Sequence, residues 1–241
     1  MSKVQHHILE IWGDFACFTR PEMKVERYSY PCPTPSAARS VFEAIYFKPR
    51  FYWQVDRIEL LSYPNYIPLR RNEMKDKVAV TAVKRWVAGT ESPQPIFADA
   101  DEAITGDAKK GRTQRQTMAI RNPRYRLVAH IIPRPGYEGE KAAYDAQFIR
   151  RASQGKCFHQ PALGCREFVA FFRYLPGLEN LPQPVDYNQD LGWMLYDVFD
   201  LRKTNGSDAP PFITVFRAQV THGVLEVPPF ESHLVRKPES D

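Results

Sequence analysis

Three residues at the end of one predicted helix have the types and spacing to act on a phosphodiester: Tyr46, Lys48 and Arg50. A phenol between two cations, where an element ends, can touch a phosphate backbone. The same spacing fits a helix-border tyrosine with its ring on the core and its OH in water, and spacing alone leaves both open. A second set, in SYPNYIPLRRNEMKDK, interleaves Tyr63 and Tyr66 with Arg70 and Arg71. That composition suits stacking on bases and binding phosphates, or equally a solvated loop whose tyrosines pack on a sheet. A third set is seven cations without an intervening acid: Lys109, Lys110, Arg112, Arg115, Arg121, Arg124 and Arg126. We expect these to form a basic loop running into a strand, presenting charge to nucleic acid. His6 and His7 are adjacent, and neighbours in a strand point to opposite faces, so the two do not share a metal. The four cysteines, Cys17, Cys32, Cys157 and Cys165, form no CxxC pair, which predicts reduced thiols and no cysteine zinc site.

The elements that position these residues follow from periodicity. Thr34 is a good N-cap, Pro35 suits the first helical turn, and Ala38, Val41, Phe42 and Ile45 form one apolar face. Pro49 ends that helix, which we place at 34–47, and residues 51–61 alternate as a half-buried strand. Residues 4–12 predict a first strand with His7, Leu9 and Ile11 on one face. RYRLVAHIIPRP predicts a central strand ending at Pro133, residues 136–151 a second helix with a Tyr144–Phe148 apolar pair, and CREFVAFFRYL an aromatic strand. VAVTAVKRWVAG fits helix or strand. Strand, helix, strand, strand or helix, strand, helix, strand is close to the split βαβ plan, so the expected fold class is α+β, ferredoxin-like over residues 1–175. Beyond Pro176, short strands separated by turns such as Asn205-Gly206 and His222-Gly223 predict a small antiparallel β subdomain over 176–241.

With 241 residues, 43% hydrophobic and 13% aromatic, the chain can bury a real core. It shows no apolar run long enough to span a bilayer and no signal-peptide pattern, so we expect a cytoplasmic protein without a membrane partner. Charge is uneven: residues 1–173 hold 28 Lys+Arg against 18 Asp+Glu, and residues 174–241 hold 5 against 10. A basic front with an acidic tail points to a polyanionic partner for the front. The aromatic strand lacks the Lys/Arg-Gly start of the RNA-recognition-motif consensus, so its rings by themselves do not establish RNA stacking.

The segments GDFACFTRPE, SYPCPTPSAARSVFEAIYFKP, RIELLSYPNYIPLRRNE, FIRRASQGKCFHQPALGCREF and LGWMLYDV, in this order, closely resemble the type I-C CRISPR-associated protein of Cas family five, subtype d, also called Dvulg. The resemblance extends over nearly the whole chain. It implies a ferredoxin-like RNA-recognition fold with a small β extension. It also implies an endoribonuclease that cuts CRISPR precursor RNA in its repeat, at the hairpin base and without metal or other cofactor, and stays bound to the 5′ tag. The implied partners are repeat RNA, the backbone and large subunits of the type I-C surveillance complex, and double-stranded DNA. The implied catalytic set is a Tyr at the end of the first helix and a Lys-His pair near the start of the second. Tyr46 matches the first; aligning on Phe148 to Arg151 puts Ala143 and Tyr144 at the pair, with Lys141 two residues earlier.

Metal-free RNA cleavage uses the neighbouring 2′-OH as nucleophile, and it needs an acceptor for that proton, a proton for the leaving 5′-oxygen and positive charge on the phosphate. We therefore expect Tyr46 to orient or deprotonate the 2′-OH, Lys141 to stabilise the phosphate and Tyr144 to supply the proton. As a base Tyr46 needs cations that lower its pKa. The expected RNA-binding residues are Lys48, Arg50, Tyr66, Arg70, Arg71, Lys109, Lys110, Arg112, Arg115, Arg150, Arg151 and His159. Two other readings compete: a non-catalytic scaffold that holds the 5′ tag, and a plain duplex-DNA-binding protein.

Overall fold

The computed structural model describes residues 4–94, 96–97, 102–107, 110–177, 179, 181–204 and 210–238. Lys109 and the Asn205-Gly206 pair lie outside the described residues. In chain order the elements are β1 (His7–Trp12), β2 (Phe15–Ala16), β3 (Phe18–Thr19), β4 (Arg27–Tyr30), α1 (Pro35–Ile45), β5 (Phe51–Leu60), β6 (Tyr66–Met74), α2 (Val80–Val87), α3 (Glu102–Thr105), β7 (Arg112–Arg121), β8 (Arg124–Pro133), α4 (Lys141–Ala152), β9 (Phe171–Leu175), β10 (Gln189–Asp197), β11 (Thr214–Thr221) and β12 (Val224–Glu226). The result is a mixed α/β protein dominated by strands.

Seven strands form the main antiparallel sheet in the order β10-β11-β12-β5-β8-β1-β9. A smaller sheet has the order β2-β7-β4-β3, and β6 pairs with β7. The chain divides into two compact units, Met1–Ile67 with Met118–Asp241, and Pro68–Thr117. The expected boundary at residue 176 does not coincide with this division. β12 pairs with β5, Leu225 opposite Ile58, so the C-terminal strands extend the main sheet. The expected His222-Gly223 turn joins β11 to β12 with both residues at positive φ (48° and 74°), the geometry that matches the twist of a two-residue hairpin.

One face of the main sheet carries α1 and α4. Trp53 of β5 is fully buried, with ring centroids 4.9 Å from Phe42 of α1 and 4.6 Å from Phe148 of α4. The expected α1 face is the buried one, and Val41, Phe42 and Ile45 each contribute roughly 1.5–3 kcal/mol when removed from water. One charge shares it: Arg39 reaches Asp197 of β10 through Nε at 2.8 Å and Nη2 at 3.1 Å, a two-pronged ion pair that ties α1 to the C-terminal strands.

Two expected loops are strands. Residues 66–74 alternate half-buried and exposed from Ile67 onward, and Pro68 is tolerated because β6 is hydrogen-bonded on one side only. Much of the basic stretch after Lys110 is likewise β7 and β8. The run has no acid in sequence, but strand pairing supplies acids from elsewhere. Arg124 and Arg173 flank buried Glu10 of β1, and buried Arg126 lies 3.1 Å from Glu59 of β5. The aromatic strand is shorter than expected and leaves Phe168 in the turn before β9. VAVTAVKRWVAG forms the helix α2.

Candidate active site

The site is built on the C-terminal end of α1. Thr34 caps the other end, accepting a hydrogen bond from Ala37 N at 3.2 Å. The chain leaves the helix at Tyr46 in an extended conformation (φ −153°, ψ 117°). No glycine closes this helix; tertiary partners satisfy its last carbonyls instead. Ala44 O accepts from Phe158 N at 2.7 Å, and Ile45 O from Arg151 Nε at 2.7 Å. Trp53 Nε1 donates to Tyr46 O at 3.0 Å. The segments IYFKP and QGKCFHQ are thus locked to one another through the helix terminus, which also brings a guanidinium to its negative pole.

Beside this terminus lies a groove of about 390 Å³ lined by Tyr46, Lys48, Arg50, Glu140, Ala143, Tyr144 and Gln147. Tyr46 is half-buried, its ring 5.4 Å from that of Phe51. Burial pushes its phenol above the ordinary value, Arg151 pulling it down and Glu140 adding to the rise. The cations expected to lower it do not prevail. Across the groove Tyr144 donates to Glu140 Oε2 at 2.7 Å, and Arg50 Nη1 reaches the same oxygen at 3.2 Å. The Tyr144 hydrogen bond is the main cause of the depressed Glu140 pKa, with Arg50 and Lys48 adding to it. Tyr144 is shifted up by desolvation and by Glu140. The groove therefore holds two protonated phenols, an ionised carboxylate and two cations, a set suited to moving a proton beside a phosphate.

Lys141 is not among the groove-lining side chains: its ammonium is 2.8 Å from Asp145 Oδ2, one turn along α4. Asp145 also meets His7 Nε2 at 2.8 Å, and although burial opposes ionisation, His7 and Lys141 hold its pKa below the usual range. This chain of contacts anchors α4 on β1.

The remaining RNA-binding candidates separate. Arg151 caps α1; Arg150 is exposed and bonds Gln147 at 2.6 Å. His159 is exposed, its backbone N–H 3.4 Å from Ala44 O, in the loop docked on the same helix end. Tyr66 is a packed residue: its ring lies 5.4 Å from Tyr28 and its OH donates to Ser29 O at 3.2 Å. In the unit Pro68–Thr117, Arg70 and Arg112 are exposed strand residues, Arg71 contacts Glu73 at 2.7 Å, Arg115 is half-buried and Lys110 exposed. All four cysteines are free thiols. Among the described residues no helix is long and apolar enough to cross a membrane.

Sequence reasoning missed Glu140, Gln147, Asp145 and His7. The i,i+4 spacings Glu140–Tyr144 and Lys141–Asp145 were a usable signal for two of the contacts; nothing local marks His7 as the partner of a residue 138 positions away.

The family model described as CRISPR-associated protein (Cas_Cas5) matches residues 8–228. The chain is 38% identical over 235 residues to the CRISPR pre-crRNA endoribonuclease Cas5d of Mannheimia succiniciproducens, covering 95% of this chain and 97% of that protein. It is 34% identical to the protein of the same name from Thermus thermophilus, over 91% and 90% of the two chains. A solved CRISPR-associated protein shares the fold with a TM-score of 0.61 at 18% identity over 97% of each chain. A functionally uncharacterized Streptococcus mutans protein does so with 0.59 at 17%, again over 97% of each. With the family model matching from β1 to beyond β12, this chain belongs to the Cas5d family of CRISPR-associated proteins.

Proposed function

We propose that this protein is an endoribonuclease that cleaves CRISPR precursor RNA within its repeat, by 2′-OH attack and without a metal ion, leaving a 2′,3′-cyclic phosphate. The observation that carries the reading is the groove joining Tyr46, Lys48 and Arg50 to Glu140 and Tyr144, in a chain 38% identical to a protein named for this activity. Tyr46, whose phenol burial holds above its ordinary value, orients the 2′-OH in its protonated form. Glu140, the ionised carboxylate of the groove, accepts the proton, and Tyr144 turns from Glu140 to protonate the leaving 5′-oxygen. Lys48 and Arg50 offset the charge on the phosphate. Lys141 joins them only by releasing Asp145. In the main sheet β1-α1-β5-β8-α4-β9 gives the order β5-β8-β1-β9, which supports the ferredoxin-like plan. The exposed cations of β6 and β7 hold flanking RNA, and the same basic surface binds double-stranded DNA. After cleavage the protein stays on the 5′ tag as a subunit of a surveillance complex.

The test is incubation of cognate repeat RNA in chelator with the wild type and Tyr46→Phe. A specific cut ending in a cyclic phosphate, lost in the variant, supports the enzyme. A second reading, a scaffold that holds the tag without cutting, is favoured by one observation: in the free protein Lys141 is held by Asp145 and Tyr144 by Glu140. Tight binding with intact RNA would establish it.

A further inference from the structure

His6, Asp56 and His130 come together on the main sheet, and none of them lines the groove. His7 points toward α4, its ring 4.8 Å from Phe148, so alternation turns its neighbour His6 to the opposite face. There the His6 ring meets that of His130, with centroids 5.5 Å apart. The pairing of β5 with β8 shifts register between Val55 and Arg57, which leaves Asp56 as the extra residue of a β-bulge. Such bulges re-aim a side chain, and the Asp56 carbonyl is pinned by Val227 N at 2.9 Å. The Asp56 carboxylate then sits between the imidazoles: Oδ2 is 2.8 Å from His130 Nδ1 and 3.5 Å from His6 Nε2.

All three ligand atoms lie within 4.8 Å of one another. In a tetrahedral zinc site with metal–ligand bonds of ~2.0–2.2 Å, ligand atoms stand about 3.3 Å apart, so small side-chain rotations suffice. The side chains are 46%, 26% and 19% exposed for His6, Asp56 and His130, which leaves one open side for a water. Two imidazole nitrogens with one carboxylate oxygen suit zinc-class ions over magnesium or calcium, which prefer all-oxygen sets.

We propose that His6, Asp56 and His130 form a binding site for one divalent transition-metal ion of the zinc class, which would clip the segment entering β1 to β5 and β8. On binding, the His130 contact with Asp56 gives way to the ion.

The test uses the full chain freed of metal with chelator, titrated with Zn²⁺ by calorimetry and with Co²⁺ by visible absorption, while thermal unfolding is followed in parallel. One ion per chain, a Tm that rises with Zn²⁺ and Co²⁺ bands of a four-coordinate ion are expected. His6→Ala, which alters a half-exposed residue before β1, and His130→Gln, which keeps a donor toward Asp56, should each weaken binding by at least about tenfold. His222→Gln removes the exposed His222–Asp186 contact (2.9 Å) and should leave binding unchanged. No Zn²⁺-dependent Tm shift in the wild type, unaltered binding in His6→Ala, or loss of binding in His222→Gln would each overturn the assignment.

Discussion

The protonation state of Tyr46 can be read from the pH profile of cleavage. Burial outweighs Arg151 and raises the phenol above its ordinary value of ~10, so fewer than about one molecule in a thousand carries the phenolate at pH 7. If Tyr46 acts as a protonated orienting group, Tyr46→Phe lowers the single-turnover rate by about 10²- to 10⁴-fold, the usual worth of a positioned proton-handling group. The deficit should stay constant from about pH 6 to 9, since the phenol does not titrate there. If Tyr46 were the base, the Tyr46-dependent part of the rate would rise about tenfold per pH unit over that range. The substitution should leave folding alone. The ring keeps its place 5.4 Å from Phe51, and the hydrogen bonds at Tyr46 N and Tyr46 O are backbone contacts, so stability should change by no more than ~0.5 kcal/mol. The assay is single-turnover cleavage of labelled repeat RNA in chelator across pH, with urea unfolding of both proteins. A wild-type rate in Tyr46→Phe refutes the role of the residue. A Tyr46-dependent unit slope refutes its protonated state.

Other expectations follow from separate parts of the fold. Asp145 has a depressed folded pKa, set by His7 and Lys141 against burial, so its stabilisation is present above the unfolded value of ~3.9 and is lost as pH falls through the folded one; urea midpoints should therefore drop below about pH 4 in the wild type and less steeply in Asp145→Asn. Gly164 has φ +86°, and an added Cβ would stand 2.0 Å from Cys17 O, so Gly164→Ala should cost roughly 2–5 kcal/mol from strain and overpacking, measured as a lowered Tm. Asp197→Ala removes the two-pronged partner of the buried Arg39 guanidinium but leaves it Glu43, so it should cost about 1–3 kcal/mol in urea unfolding. Arg70→Ala with Arg112→Ala should reduce the salt dependence of RNA binding by about 0.7 in log–log slope for each phosphate no longer neutralised, measured by filter binding at several salt concentrations.

Where the signal was local, the sequence reached the structure. Thr34, Pro35 and the Ala38–Val41–Phe42–Ile45 stripe specify α1 because capping and the 3.6-residue period act within a few residues, and Pro49 limits its end. The strands expected in 51–61 and 124–133 are β5 and β8, but in place of half-buried alternation seven of ten β5 residues are buried, because the sheet is covered on both faces there, and the His222-Gly223 pair specifies its hairpin. Tyr46 could be placed at the helix end, beside Lys48 and Arg50, without any tertiary information. What the fold alone decided depends on residues far apart in the chain meeting in space. Arg124 and Arg126 look unpaired in sequence and meet Glu10 and Glu59 only through strand pairing. Residues 66–74 look like a polar loop because one-sided edge pairing needs little apolar content. The Tyr46 phenol is shifted up and not down because burial, a property of packed elements, outweighs the nearby Arg151. Histidines that point apart along one strand find partners on others: His7 reaches α4, and His6 meets His130 and the bulged Asp56.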